Sequence, residues 1–441
     1  MVPSVVLYFT CFHLWNFKLP RHFAKFMIVQ DATAASPTPL KADRLVSLDQ
    51  FRGYTVVGML LVNYFGSYKV CPQVLKHTND YCSYADTIMP QFLFAVGFAM
   101  RLTFGRRIQS HGGSAAYLRM IRRLLGLVLV SLVVYSVGQR APTWEKLVEM
   151  GVWQVLFEPL KRDWFQTLMH IAVTSLWILP VVHCKPPIRI LWMVGSAVGH
   201  VGLSYWFNFV WLNTAPNGID GGPFGFLTWS IPAIVGTLAC DVFVQPKSQL
   251  QLRSAALRKV LVASLLLMGF GYFISCGTRL YDVPTQSVES LKSEKFAPDP
   301  VWPSQERINA KLSEASLSAW LAEPPFVKPP DKTLRKWNYW MMSQRSGTLA
   351  YLVFSAGFSL AVFTGFFVVC DLFELQLAFF KTFGTNALVA YVLHGMVSNA
   401  VQPFFPKDSP AWYALSGLAM FFWVTWIFVR YLEKQGIYLR V

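Results

Sequence analysis

From Leu45 onward the chain is a succession of apolar runs separated by polar connections. Each run is roughly 18 to 25 residues long, the length an α-helix needs to cross ~30 Å of hydrocarbon. The runs fall at 45–66, 86–104, 117–138, 164–183, 188–210, 224–244, 257–276, 347–370, 382–402 and 411–430. They predict an all-α fold, a polytopic membrane helix bundle of about ten transmembrane helices. An eleventh is added if the apolar run Val2–Phe17 is counted. That run is short for a span, and neither a basic stretch before it nor a small-residue cleavage site after it marks a signal peptide. Residues 1–43 are therefore an N-terminal extension, either an extra helix or chain upstream of a more natural start at Met27. Residues 44–441 are expected to form one integral-membrane domain.

The longest interruption, 277–346, is rich in Pro, Ser, Glu and Lys. Loops of this length inside a compact body are functional or disordered. It is expected to be a non-cytoplasmic loop or lid, with a helix over 304–321 that has Ser304 as N-cap and Ile308, Leu312 and Ala315 on one face. No internal repeat or matching pair of interrupted helices is visible, and those features are the common signature of secondary transporters.

Composition agrees with the pattern. The 441 residues are 54% hydrophobic and only 14% charged, against about a quarter charged in soluble domains. The net charge of +16 would suggest nucleic acid in a soluble protein. Here the basic residues sit in short connections, as the positive-inside rule describes. The connection holding Arg106, Arg107, Arg119, Arg122 and Arg123 is the most basic and is assigned to the cytoplasm. Alternation then places the 66–85 loop, 139–163, 213–223, 277–346 and 403–410 on the other face. Basic cytoplasmic loops also suit an anionic cytosolic ligand or membrane lipid headgroups. The seven cysteines show no CxxC or Cys/His metal spacing, so no metal is expected. Cys71 and Cys82 flank His77 in one loop, where a disulfide and two free thiols are equally compatible.

That loop carries the candidate chemistry. His77 lies between a span ending near Asn63 and a span beginning with Asp86. An imidazole with an ordinary pKa of ~6.5 serves as base or acid near neutrality. A carboxylate on one ring nitrogen would leave the other free to attack an acyl carbon or take a proton, and Asn63 could donate to a developing oxyanion. Asp86 could equally cap the helix that follows it. At the inner edge, Asp49 and Arg52 are spaced i,i+3, which suits either a local ion pair or an Arg presented to an anionic ligand. Asn386, Tyr391 and His394 are placed to line the bundle interior or to bond between helices. His170, His183 and His200 have no acidic neighbours in sequence and are taken as structural, and His111 belongs to the basic loop.

The runs Arg44–Gly53, Leu61-Val62-Asn63-Tyr64, Leu75-Lys76-His77, Ala85-Asp86 and Pro90–Phe94 resemble the opening of the heparan-alpha-glucosaminide N-acetyltransferase family. Weaker echoes follow at Leu227–Gly236, Trp340–Gly347 and Gly384–Leu388 with Tyr391. The resemblance implies a multi-pass acyltransferase that takes acetyl-CoA from the cytosolic side and acetylates an amino sugar or similar glycan acceptor on the other. It puts the essential histidine on His77, with Asn63 and Asp86 as motif partners. Arg52, Arg106, Arg107, Asn386 and His394 become the candidate contacts for the acetyl-CoA cosubstrate. Two departures stand out: Asn79-Asp80-Tyr81-Cys82 replaces the family's Trp-Asn-Gly, and Met169-His170 stands where a Gln-Arg pair is expected. A bacterial inner membrane is the expected location, a homodimer is left open, and no nucleic-acid partner is expected. The alternative function is a secondary transporter or flippase with a polar path through the bundle.

Overall fold

The computed structural model describes residues 45–244, 250–283, 295–314, 316–330 and 334–439. The expected N-terminal extension lies outside these residues. The described chain is helical, with two isolated β-bridges, Asp282 with Arg335 and Phe296 with Trp337. The main helices are α1 (Val46–Phe65), α2 (Ile88–His111), α3 (Gly113–Val134), α4 (Thr167–Ile178), α5 (Pro186–Leu203), α6 (Phe226–Phe243), α7 (Leu250–Ser275), α8 (Leu349–Phe367), α9 (Ala378–Thr385), α10 (Ala387–Val401) and α11 (Ala411–Lys434). α5 continues through a π-turn, Ser204–Asn208, to Asn213.

Six helices among the described residues are long and apolar enough to span a membrane: Ala85–Ser110, Pro186–Asn213, Gly222–Phe243, Ala256–Tyr281, Leu349–Leu372 and Ala411–Lys434. The expected count of about ten is not reached by that measure, for local reasons. α1 carries Asp49 and Arg52, and α3 carries Arg119, Arg122 and Arg123, so both are long helices of lower hydropathy. The apolar stretch 164–183 yields a helix of only 12 residues. The stretch 382–402 is split at Asn386, whose backbone leaves the helical region (φ −126°, ψ 47°).

Burial sorts the spans into layers. The apolar stretch that qualifies Gly222–Phe243 as a span is 78% buried inside the protein, against 22% for the corresponding stretches of the spans containing α5 and α7. α6 is thus central, packed against α2, α5 and α8. α5 and α7 turn large apolar side chains such as Leu191, Val198, Leu266 and Phe273 outward, as lipid-facing helices do. The central helices meet backbone to backbone at glycines. A Cβ on Gly97 would lie 1.9 Å from the Ala233 carbonyl oxygen, and one on Gly236 would lie 2.1 Å from that of Phe94. α1 and α9 repeat the device, Gly53 against Phe380 and Gly384 against Asp49. Small residues at such crossings let helices gain van der Waals contact where lipid supplies no hydrophobic drive.

The 277–346 segment is shorter in helix than the sequence pattern suggests. Its helix covers Gln305–Leu312, Ser304 makes no side-chain cap, and Leu312 is exposed; Ala315 lies outside the described residues. Charge holds the segment instead: Arg335, 3% exposed, bonds Asp282 and both oxygens of Glu323. It is pinned to the His77 loop by the Phe326 N–H on the Cys82 carbonyl, 2.9 Å, and to α7 by the Tyr272 hydroxyl on the Ala322 carbonyl, 2.7 Å.

Gly97→Ala should force the α2–α6 backbones apart and cost roughly 1–3 kcal/mol, read as a clear fall in melting temperature of the detergent-purified protein. Gly269→Ala on α7, where an added Cβ meets nothing within 4 Å, should leave it unchanged or slightly raised; equal losses in both would contradict the close-crossing account.

Candidate functional site

The site is built at the end of the bundle where α1 finishes and α2 begins. Ser83-Tyr84-Ala85-Asp86 forms a capping box. The Asp86 N–H reaches Ser83 Oγ at 3.3 Å, while Asp86 Oδ2 accepts from the Ser83 N–H at 3.0 Å and hydroxyl at 2.9 Å. Thr78 adds its N–H at 3.4 Å and its hydroxyl at 2.9 Å. The carboxylate is fully buried, and its other oxygen, Oδ1, meets His77 Nδ1 at 2.9 Å. The two roles that sequence left open for Asp86, helix cap and histidine partner, are therefore both filled, one per oxygen.

A second acceptor shares that ring nitrogen. Gln344 Oε1 lies 3.1 Å from His77 Nδ1, and Gln344 Nε2 donates to Asp220 Oδ1 at 3.1 Å. Asp220 is buried, at φ 52°, a left-handed conformation uncommon outside glycine. Its backbone is fixed by the Trp229 indole N–H on its carbonyl, 2.7 Å, and by the next N–H, Gly221, on the Arg345 carbonyl, 2.9 Å. With acceptors on Nδ1, that nitrogen carries the proton of the neutral ring, which leaves the Nε2 lone pair free. The side chain is 47% exposed, so that lone pair is within reach of a ligand.

Electrostatics follow from this placement. Burial pulls the His77 pKa down, but the hydrogen bond and charge of Asp86, with Asp220 and Gln344, outweigh it and hold the imidazole above its ordinary 6.5. Burial pushes the Asp220 carboxyl up to about 7, against the opposing effects of His77 and Gln344.

The other expected residues are scattered. Asn63 is exposed in the last turn of α1, and no described hydrogen bond joins it to His77 or Asp86. Arg106 and Arg107 lie 20 residues along α2 from Asp86, about 30 Å away at helical rise; Arg106 is exposed and Arg107 half-buried. Arg52 is half-buried on α1, near the same end of the bundle. Asn386 is buried and ties down the C-terminal tail, its amide donating to the Ile437 carbonyl at 2.9 Å and accepting from the Leu439 N–H at 3.3 Å. His394 turns back on the Tyr391 carbonyl of its own helix. Cys71 and Cys82 are free, buried thiols in separate clusters of the core, so the loop is not closed by a disulfide.

Sequence reasoning missed Gln344 and Asp220, although Gln344 lies in the Trp340–Gly347 echo and Asp220 opens an Asp-Gly-Gly-Pro turn. It also missed the Arg-carboxylate lock at the opposite end, where Asp241 of α6 binds Arg101 of α2 at 2.6 Å and the fully buried Arg189 of α5. No group of three or more metal-ligating side chains is found among the described residues.

A family model described as heparan-alpha-glucosaminide N-acetyltransferase, catalytic, matches residues 44–270, just over half of the chain. The match takes in His77, Asp86 and Asp220 and ends before Gln344. No curated protein matches the chain.

His77 and Asp220 both bind their protons more tightly folded than unfolded. Their contributions to stability are therefore complete at low pH and are lost as the pH rises through about 7 and through the raised His77 pKa. The melting temperature should fall as the pH rises from about 4 through neutrality, and His77→Gln should flatten the part of the fall above about pH 6.5. An unchanged slope in the variant would show that the imidazole is not coupled to the fold.

Proposed function

The chain belongs to the heparan-alpha-glucosaminide N-acetyltransferase family, and from that premise we propose that it moves an acetyl group from cytosolic acetyl-CoA to an amino sugar or similar glycan acceptor across the membrane. The observation that carries the proposal is the His77–Asp86 contact of 2.9 Å with a half-exposed ring. Asp86 holds the Nδ1–H tautomer, and His77 Nε2 is the reacting atom.

One lone pair serves either of two routes. As a nucleophile, Nε2 attacks the acetyl carbon, the C–S bond breaks to release CoA thiolate, and the acceptor then displaces the imidazole. As a general base, Nε2 takes the proton of an acceptor amine or hydroxyl while that group attacks the thioester directly. In both routes the imidazole becomes cationic on the way, and the buried Asp86 carboxylate stabilises that cation. Asn63, exposed at the same end of α1, is assigned to the acyl oxygen.

Arg106 and Arg107, with Arg52, fit the anionic end of the donor. They sit at the far end of the helices whose other ends form the His77 site, and Arg106 is open to ligand. A donor phosphate bound there and a thioester at His77 would span the bundle. Asn386 and His394, engaged with the tail and with their own helix, are assigned no donor contact.

His77→Ala should abolish acetyl transfer while acetyl-CoA still raises the melting temperature, with saturating ligand worth about 2.7 kcal/mol at a hundredfold excess over Kd. Asp86→Asn, which removes the charge that orients the ring, should lower kcat by about 10²–10⁴-fold. Substrate uptake that is driven by an ion gradient and survives His77→Ala without CoA would establish the transporter instead.

A further inference from the structure

The proposed reaction uses Asp86 but leaves a second, independently built contact to His77 without a role. We propose that Gln344 and Asp220 are positioning residues, a second arm that fixes the orientation and tautomer of His77. The inference rests on the reading of His77 as the reacting group and adds the loops at 214–221 and 338–348 to its support.

The arm has a direction. A carboxylate only accepts hydrogen bonds, so Asp220, when ionised, requires the NH₂ side of the Gln344 amide to face it. The amide is thereby turned, and its oxygen, not its nitrogen, is presented to His77 Nδ1. An acceptor at that position demands Nδ1–H, the same tautomer that Asp86 demands. The charge on Asp220 thus sets which nitrogen of His77 holds the proton, across one intervening amide.

The chain accepts a cost to make this contact. Gln344 supplies the one described hydrogen bond to the Asp220 carboxylate. The residue is nonetheless fully enclosed and held in a left-handed conformation by Trp229, Gly221 and the Arg345 carbonyl. Burying a sparsely bonded carboxylate in a strained backbone is unfavourable, and a residue needed only to turn the chain would be replaced by glycine or asparagine at no loss. The partner comes from another part of the sequence: Gln344 is 124 residues from Asp220 and 267 from His77. The 277–346 segment is therefore tied into the site as well as bonded to the His77 loop and to α7.

The charged groups that act on the imidazole are Asp86 at the α2 entry and Asp220; Asp80 of its own loop acts on Tyr81 and Arg345, and Arg162 acts on Arg345. Only Asp220 acts through Gln344, which makes the arm separable by substitution.

The test titrates His77 in the purified full-length protein without substrates, from the pH dependence of its modification by diethyl pyrocarbonate followed by peptide mass spectrometry. Neutral imidazole reacts, so the half-reaction pH reports the proton affinity. Asp220→Asn removes the charge while keeping the shape, and Gln344→Leu removes the bridge. Both should lower the half-reaction pH by about half a unit or more, and Gln344→Glu, which puts a carboxylate against Nδ1, should raise it. In acetyl transfer the first two should lower kcat at least tenfold with the KM for acetyl-CoA little changed. Half-reaction pH values equal to wild type in variants that melt normally would overturn the proposal. A wild-type protein that transfers no acetyl group would count against the proposed function instead, while the titration still decides the arm.

Discussion

The buried carboxylate of Asp86 is the group on which the arrangement depends. It cannot be left without partners at full burial, and the chain meets that demand with Ser83, Thr78 and His77. Ser83 and Thr78 saturate one oxygen and in doing so close the loop onto the start of α2. The other oxygen is left with His77, so the histidine is drawn to the helix entrance by the same requirement that starts the helix. The Tyr351 hydroxyl of α8 bonds the Asp86 carbonyl, which locks this corner to the centre of the bundle. Local capping, loop shape and candidate chemistry are consequences of one desolvated charge.

The bundle behind that corner explains how a loop residue is held in place. Asp86 lies in the turn that leads into α2, and α2 crosses α6 so closely at Gly97 and Gly236 that neither position has room for a Cβ. At its far end the Arg101–Asp241–Arg189 lock joins α2, α6 and α5. α6 in turn follows directly on the loop bearing Asp220 and supplies Trp229 to fix it. Both carboxylates near His77 thus lie at the entrances of the two most buried candidate spans among the described residues.

How much of this was legible in the sequence depended on chain separation. The apolar runs gave the helices, because burial in lipid leaves a signal in every residue of a span. Six of the expected spans meet the length-and-hydropathy measure among the described residues; α1 and α3 fall short of it because they carry charges inside long helices, and the ninth stretch because Asn386 interrupts it to hold the tail. His77 and Asp86 are nine residues apart, and the flanking spans bring them to one membrane face, so their pairing could be expected. Gln344 and Asp220 could not be placed there, since only the folded bundle brings 214–221 and 338–348 against the same imidazole. Asn386 and His394 were ambiguous for a related reason: a polar residue in a span signals a partner, but not whether that partner is a ligand or nearby backbone.

The central claim of the proposed function is that acetyl transfer takes place at His77 Nε2, acting as nucleophile or as general base. A cryo-EM reconstruction of the protein in lipid nanodiscs with acetyl-CoA, or with a non-hydrolysable thioether analogue, tests it most directly. The account predicts the phosphates near Arg106 and Arg107 and the acetyl group beside His77, with the acyl carbon about 3–3.5 Å from Nε2 for the nucleophilic route, the distance of a near-attack arrangement, and farther by the width of the acceptor atom for the general-base route. Donor density that leaves the acyl group far from His77, or that does not enter the bundle, would contradict it.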